Sequence, residues 1–218
     1  MRWSLFADVD QRDVDAVLAA ARRRQFTKGD TVFYEGDPGS TLHLIDRGHV
    51  AVRVLTPMGE TATLRVLGPG DYFGDLAVIS PAPRSATITA LDAVETLSVH
   101  RGVFDELRHR HPSVDQVLLE AVIQEVRRLS IALLDALYVP VPKRATRRLV
   151  ELADLYGASA DRGNIVVPLT QEDLAGLTGT TRQTMNQILM ELSAAGIVSL
   201  ARGRVVVEDL DALRARAR

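Results

Sequence analysis

Two stretches of the 218-residue sequence hold side chains whose types and spacing suit molecular recognition. The first runs Phe73-Gly74-Asp75-Leu76-Ala77-Val78-Ile79, then Ser80-Pro81-Ala82, then Pro83-Arg84-Ser85-Ala86-Thr87. An anion such as a phosphate needs fixed donors: a glycine lets backbone N–H groups approach it, and an arginine adds charge-assisted, potentially bidentate bonds. Arg84 and Ser85 meet that need, and the Asp75 carboxylate can accept a bond from a sugar hydroxyl. The second stretch joins Leu169-Thr170-Gln171-Glu172-Asp173-Leu174-Ala175 to Thr180-Thr181-Arg182-Gln183-Thr184-Met185-Asn186-Gln187. On the first turns of a helix lying in a DNA groove, arginine reads guanine O6 and N7, whereas Asn and Gln read adenine N6 and N7. Arg182, Gln183, Asn186 and Gln187 are the candidates. Thr170, Thr180, Thr181, Arg202 and Arg204 suit phosphates, which fix position without specifying sequence, although a solvated hairpin tip is the alternative for the two arginines.

Other chemistry is thin. No serine, histidine and acid stand together in a nucleophile context, so an enzyme is not expected. His109 and His111 flank Arg110, but two histidines do not complete a metal site, and both read as surface residues. Zero cysteines exclude disulfides and any thiolate-ligated zinc, haem or iron–sulfur centre. Lys143, Arg144, Arg147 and Arg148 cluster on one helix turn and read as a solvated basic face, with DNA flanks the alternative.

The elements that must position these residues are legible from periodicity. Short β segments at 31–34, 41–45, 49–55, 61–66, 85–91 and 96–100 are punctuated by glycine and proline, the pattern of a small barrel or jelly roll. Apolar spacing at Val14, Val17, Leu18 and Ala21 predicts a helix over 10–24 that packs outside the barrel. After Pro112, Val114, Leu118, Val122, Leu129, Leu133 and Leu137 recur at helical intervals, giving one helix of about 25 residues, or roughly 38 Å. Its apolar width exceeds what a small barrel can cover, so a second copy of the chain is the expected partner, with a single-domain core helix as the alternative. Glu125 within that stripe has no evident reason. Pro140 and Pro142 end the helix and mark a hinge. Beyond them come a helix over 143–156, a polar loop over 157–163, a strand over 164–168, two helices separated by Gly179, and a hairpin around Arg202-Gly203. That is a winged helix-turn-helix. The fold class is α+β, with a β-roll sensor domain over 1–112, a dimerisation helix over 113–139 and a winged DNA-binding domain over 140–218.

Charge agrees with this division. Residues 1–139 carry 15 Lys and Arg against 19 Asp and Glu, whereas 140–218 carry 11 against 9, so −4 gives way to +2. The mild excess favours a nucleic-acid-facing C-terminal part. No apolar run reaches bilayer length and the N-terminus lacks a signal-peptide layout, so no membrane association and a cytoplasmic location are expected.

The first stretch resembles the phosphate-binding cassette of cyclic-nucleotide-binding domains, F-G-E-L-A-L-I, three variable residues, then P-R-x-A-T. From barrel to wing the chain resembles the cyclic-AMP receptor and fumarate-nitrate regulator family of bacterial transcription regulators. The resemblance implies that Gly74, Arg84 and Ser85 hold a cyclic phosphate, that Asp75 takes the glutamate's place at the ribose, and that Leu76 lines the site. It puts Ala132 and Leu133 where a Thr-Ser pair binds adenine, and neither has a polar side-chain atom. Arg182 matches a guanine-reading arginine, while Gln183 and Gln187 replace a glutamate and an arginine. The implied effector is a cyclic nucleotide, cyclic AMP foremost, and the implied partners are a palindromic duplex operator, a second copy of the chain and RNA polymerase. An effector-independent DNA binder and a cyclic-nucleotide sensor acting by protein contact remain open.

Overall fold

Strand β3 (Thr41–Arg47) is buried along nearly its whole length, and the reason is that both of its faces are covered. Leu42 and Leu44 face a cluster with Trp3, Leu5, Phe6, Val14, Val17, Phe104, Leu107, Val114 and Leu118, whereas Ile45 joins Val50, Leu67, Phe73, Ile88, Ala90 and Val94. The computed structural model describes residues 3–57, 59, 61–80, 82–157 and 164–218; Pro81 and positions 158–163 of the expected polar loop lie outside them.

With β1 (Arg22–Phe26), β2 (Thr31–Phe33), β4 (Val50–Leu55), β5 (Thr61–Leu67), β6 (Tyr72–Phe73), β7 (Thr87–Ala90) and β8 (Val94–His100), β3 forms two four-stranded sheets. Their orders are β1-β8-β3-β6 and β2-β7-β4-β5, and the Ile45 cluster draws residues from both, so it is the interior of a β-roll. The other cluster lies under α1 (Gln11–Ala20), α3 (Arg101–Arg110) and the start of α4 (Ser113–Tyr138). The helix predicted over 10–24 is shorter than its periodicity suggests. It ends at Ala20, and Arg22–Phe26 becomes an edge strand on β8, where Arg23 pairs with Glu95 at 2.6 Å and Asp46 at 2.9 Å. A run of exposed arginines suits an edge that must not pair further.

The chain divides into two compact units, Met1–Val54 with Arg65–Leu129, and Leu55–Leu64 with Ser130–Arg218. The 26-residue α4 is therefore shared between them, parting at Leu129 and Ser130. In the second unit α5 (Val141–Gly157) presents Ala145, Leu149, Leu152, Ala153 and Tyr156 at helical spacing to the core. Around it stand α6 (Gln171–Thr178), α7 (Arg182–Ala194), α8 (Leu210–Ala217) and an antiparallel sheet β10-β11-β9, made of Val198–Ala201, Arg204–Val207 and Ile165–Val167. This is a winged helix-turn-helix. Short elements escape the sequence reading: β6, α3, α8 and the five-residue α2 (Asp75–Ile79).

Candidate functional site

The cassette is built around Arg84. Its backbone is pinned on both sides, donating to Asp37 O at 2.9 Å and accepting from Gly36 N at 2.9 Å. Its side chain runs inward and is only 5% exposed. Nη1 donates to Gly74 O at 3.1 Å, and Nη2 to Thr41 O and Thr41 Oγ1, both at 2.9 Å, while the guanidinium lies 4.0 Å from the Phe33 ring centroid. Guanidinium has five N–H donors, so three are used, and Nε is buried without a partner. Among the described residues no carboxylate forms an ion pair with it, and burial lowers its pKa. Arg101 lies close by, donating to the Gly39 and Ala77 carbonyls, and its Nε too is buried without a partner. Two guanidinium groups thus stand near one another, each anchored on backbone carbonyls and each with its Nε left over.

Gly74 is required here twice over. Its φ is +82°, and a Cβ would stand 2.5 Å from Arg84 Nη1 and 2.9 Å from Thr41 O. It is the residue before α2, and Asp75 opens that helix. The Asp75 pKa is raised by burial, a shift opposed by hydrogen bonds from its own N–H and that of Leu76 and by Arg65. Asp75 thus stands in the first turn of α2. Ser85 is exposed and Leu76 is 52% exposed at the surface of the same segment. Ala132 and Leu133 fall in the other compact unit, half-buried and exposed respectively.

Glu125 now has a reason. It accepts from Arg128 at 2.7 and 2.9 Å and from Arg65 at 3.1 Å, and its pKa is lowered chiefly by the Arg128 bonds. The polar residue within the apolar stripe is a clamp that ties α4 to β5. Behind the cassette, His43 stacks on Phe73 with centroids 5.0 Å apart and bonds Thr41 Oγ1 and Thr96 Oγ1. Burial first, then Arg84 and Arg24, push its pKa down to about 3. His43 was not singled out by sequence, since an alternating strand position carries no sign of what stacks on it. His111, expected as a plain surface residue, bonds Asp13 at 2.7 Å, and Asp10 is near enough for the three ligand atoms to lie within 4.8 Å. Arg110 also bonds Asp13, at 3.0 Å.

The second candidate surface is formed by α6, α7 and the wing. Thr170 caps α6 through a capping box with Asp173, and Thr181 caps α7 by accepting from Thr184 N. Met185, Ile188, Leu189 and Leu192 are buried, which turns Arg182, Gln183, Asn186 and Gln187 outward together. A cleft of ≈ 350 Å³ runs between the α6 N-terminus and the wing, lined by Thr170, Gln171, Arg182, Arg202 and Arg204 among others. Among the described residues none of these three arginines has a carboxylate partner. The α5 cluster differs from the solvated face expected of it. Arg144 donates to Ala136, Val139, Thr178 and Gly179 carbonyls at 3.1 to 3.3 Å; Arg147 bonds Asp135 and Ala217 O; Arg148 pairs with Glu151. Those charges are spent on helix C-termini and local acids.

Comparison with known proteins finds a family match for each half of the chain. Residues 23–111 match the cyclic nucleotide-binding domain and residues 143–216 the Crp-like helix-turn-helix domain. The chain is 30% identical over all 218 residues to the CRP-like cAMP-activated global transcriptional regulator of Mycobacterium tuberculosis, covering 97% of that protein. The chain belongs to the CRP/FNR family of transcription regulators. A second CRP/FNR relative, the cyclic AMP receptor protein of Thermus thermophilus, is 29% identical over 94% of this chain and 92% of its own. A solved CRP-family transcriptional regulator, also from Thermus thermophilus, superposes with a TM-score of 0.74 at 29% identity, over 89% of this chain and 96% of its own. As a CRP/FNR member the chain is a DNA-binding transcription regulator with a cyclic-nucleotide-binding domain, and not an enzyme. Among the described residues no helix is long and apolar enough to cross a membrane.

Proposed function

We propose that the chain works as a cytoplasmic homodimer whose β-roll binds a cyclic nucleotide, cyclic AMP foremost, and whose α7 then reads a palindromic operator to act on RNA polymerase. The observation that supports the effector half is Arg84, a buried cation whose Nε has no hydrogen-bond partner and which, among the described residues, has no carboxylate partner, a combination suited to an anionic group. Gly74 and Ser85 would complete the phosphate contacts, Leu76 would line the site, and Asp75 would accept from the ribose 2′-hydroxyl. Ala132 and Leu133 would stand at the base and offer it only apolar contact.

The dimer half rests on α4. Leu119, Val126, Ile131, Leu133, Leu134 and Leu137 are each more than half exposed in the single chain, a run too apolar to face water. A second copy laying the same face against it is the simplest cover, and two recognition helices about one DNA turn, roughly 34 Å, apart would then match a palindrome. Arg182 is proposed to read guanine; Gln183, Asn186 and Gln187 to read adjoining bases; Thr170, Thr180, Thr181, Arg202 and Arg204 to hold phosphates.

An effector-independent binder is the second reading, favoured by the aspartate at position 75 in place of the family's glutamate and by the apolar Ala132 and Leu133. Calorimetric titration of cyclic AMP, cyclic GMP and cyclic di-GMP, with and without operator, separates the two. A nucleotide that binds the wild-type protein and tightens its hold on operator supports the effector-gated reading. Loss of the phosphate bond in Arg84→Ala should weaken effector binding by about 10- to 150-fold. Full effector affinity in that variant refutes the anion assignment, and operator binding unchanged by all three nucleotides selects the second reading.

A further inference from the structure

The recognition surface contains one contact that the outward-facing residues of α7 do not explain by themselves. Asn186 stands one turn beyond Arg182 on the exposed face of α7, and its Oδ1 accepts from Gln171 Nε2 at 3.0 Å. Gln171 is the first residue of α6, beside the cleft that Arg182 and the wing line. An amide is nearly symmetric in shape but opposite in chemistry at its two ends. Free on a helix surface, Asn186 could turn its amide over and offer a donor where an acceptor is required. Adenine demands a particular order: an acceptor for its N6 amino group and a donor for N7. The bond in the structure has Gln171 Nε2 donating to Asn186 Oδ1, and in that arrangement the oxygen of Asn186 is held on the side of Gln171. The oxygen has two lone pairs, so it can accept from Gln171 and from adenine N6 together, with both Nδ2 hydrogens left for N7.

We infer that Gln171 is a positioning residue that fixes the Asn186 amide for reading one adenine, so that base preference at this position belongs to a pair drawn from both helices of the motif. The inference rests on the proposed reading of DNA by α7. Gln171 takes no part in the capping box, which Thr170 and Asp173 form, so its replacement leaves the helix start intact. Two things distinguish this role from a phosphate contact. A phosphate contact strengthens all sequences alike and adds to the salt dependence, whereas orientation of Asn186 affects one base pair. It also depends on a hydrogen donated by residue 171, which glutamate lacks and lysine has.

The experiment selects binding sites from a randomised duplex library with the full-length protein, with and without cyclic AMP, then measures affinities for single-base variants of the selected site by fluorescence anisotropy at several salt concentrations. Wild-type protein should prefer adenine at one position by about 5- to 150-fold, and Asn186→Ala should abolish that preference. Gln171→Ala and Gln171→Glu should reduce it at the same position by about fivefold or more, with the salt slope unchanged, while Gln171→Lys retains it. Preference unchanged in Gln171→Ala and Gln171→Glu overturns the inference and leaves DNA recognition standing. So does a loss spread evenly over all sequences with a shallower salt slope. Wild-type protein that selects no site at all overturns the reading of α7 itself.

Discussion

Lowering the pH from about 7.5 to 5 should destabilise the β-roll through a single imidazole. His43 lies between the sheets at 5% exposure, stacked on Phe73, with its two ring nitrogens 3.1 and 3.2 Å from threonine hydroxyls. Desolvation is the main reason its pKa falls from 6.5 to about 3; the nearby Arg84 and Arg24 charges add to it. The unfolded chain takes up a proton below its ordinary pKa while the folded protein refuses one. Stability from the neutral ring is therefore complete above pH 6.5 and drains away as pH falls from 6.5 towards 3. At 1.36 kcal/mol per unit, about 2 kcal/mol is gone by pH 5, and the complete loss is roughly 4 to 5 kcal/mol. Urea unfolding of ligand-free protein and of His43→Gln, each followed across this range, isolates the effect, because carboxylates titrate in both. Wild-type should lose about 2 kcal/mol more than the variant between pH 7.5 and 5. Parallel stability curves for the two proteins would show that His43 accepts its proton in the folded state, and the reasoning from burial would be refuted.

Two further perturbations probe α4 and its attachment. Arg144→Met strips a donor from four carbonyls at the C-terminal ends of α4 and α6, which should lower the stability of the winged unit by about 1 to 3 kcal/mol. On the proposed effector-gated reading, the same change should shrink any gain in operator affinity that cyclic AMP produces in anisotropy; an undiminished gain argues that Arg144 has no part in transmission. Leu134→Asp sets a charge in the exposed apolar face of α4 and should give monomers in sedimentation equilibrium at micromolar protein. A dimer of unchanged affinity would move the interface elsewhere.

Much of this was written in local sequence. Thr170 and Thr181 announce their helices because a hydroxyl before a helix has one common use, and both cap in the structure. Gly74 and Arg84 stand out because a loop glycine and an arginine at that spacing are a donor set, although sequence does not tell that the guanidinium turns inward onto Gly74 and Thr41 carbonyls. What sequence withholds is partnership over distance. Glu125 reads as a flaw in an apolar stripe until Arg65, sixty residues earlier, is found beside it. Arg22-Arg23-Arg24 continues a helical pattern on paper and is a strand in fact, since pairing with β8 through Glu95 outweighs a weak local propensity. Arg144 and Arg147 read as solvent-facing because the carbonyls at a helix end leave no mark in the residues that carry them.

Those two arginines bear on how a signal can travel. Pro140 and Pro142 read as a hinge, because proline removes the donors that would continue a helix. The structure spans that break with other bonds: Lys143 N and Arg144 N donate to Pro140 O, Arg144 Nη1 reaches back to Ala136 O and Val139 O, and Arg147 reaches back to Asp135. The same Arg144 donates through Nε and Nη2 to Thr178 O and Gly179 O, in the turn that leads into Thr180 and the cap of α7. One guanidinium thus joins the last turn of α4 to the turn of the helix-turn-helix. Bending at the prolines would break several of these bonds at once, while a shift of α4 as a body would carry them along. Within the second unit, then, the proline break does not leave the end of α4 and the turn before α7 joined by backbone alone, because side-chain bonds from Arg144 and Arg147 cross it.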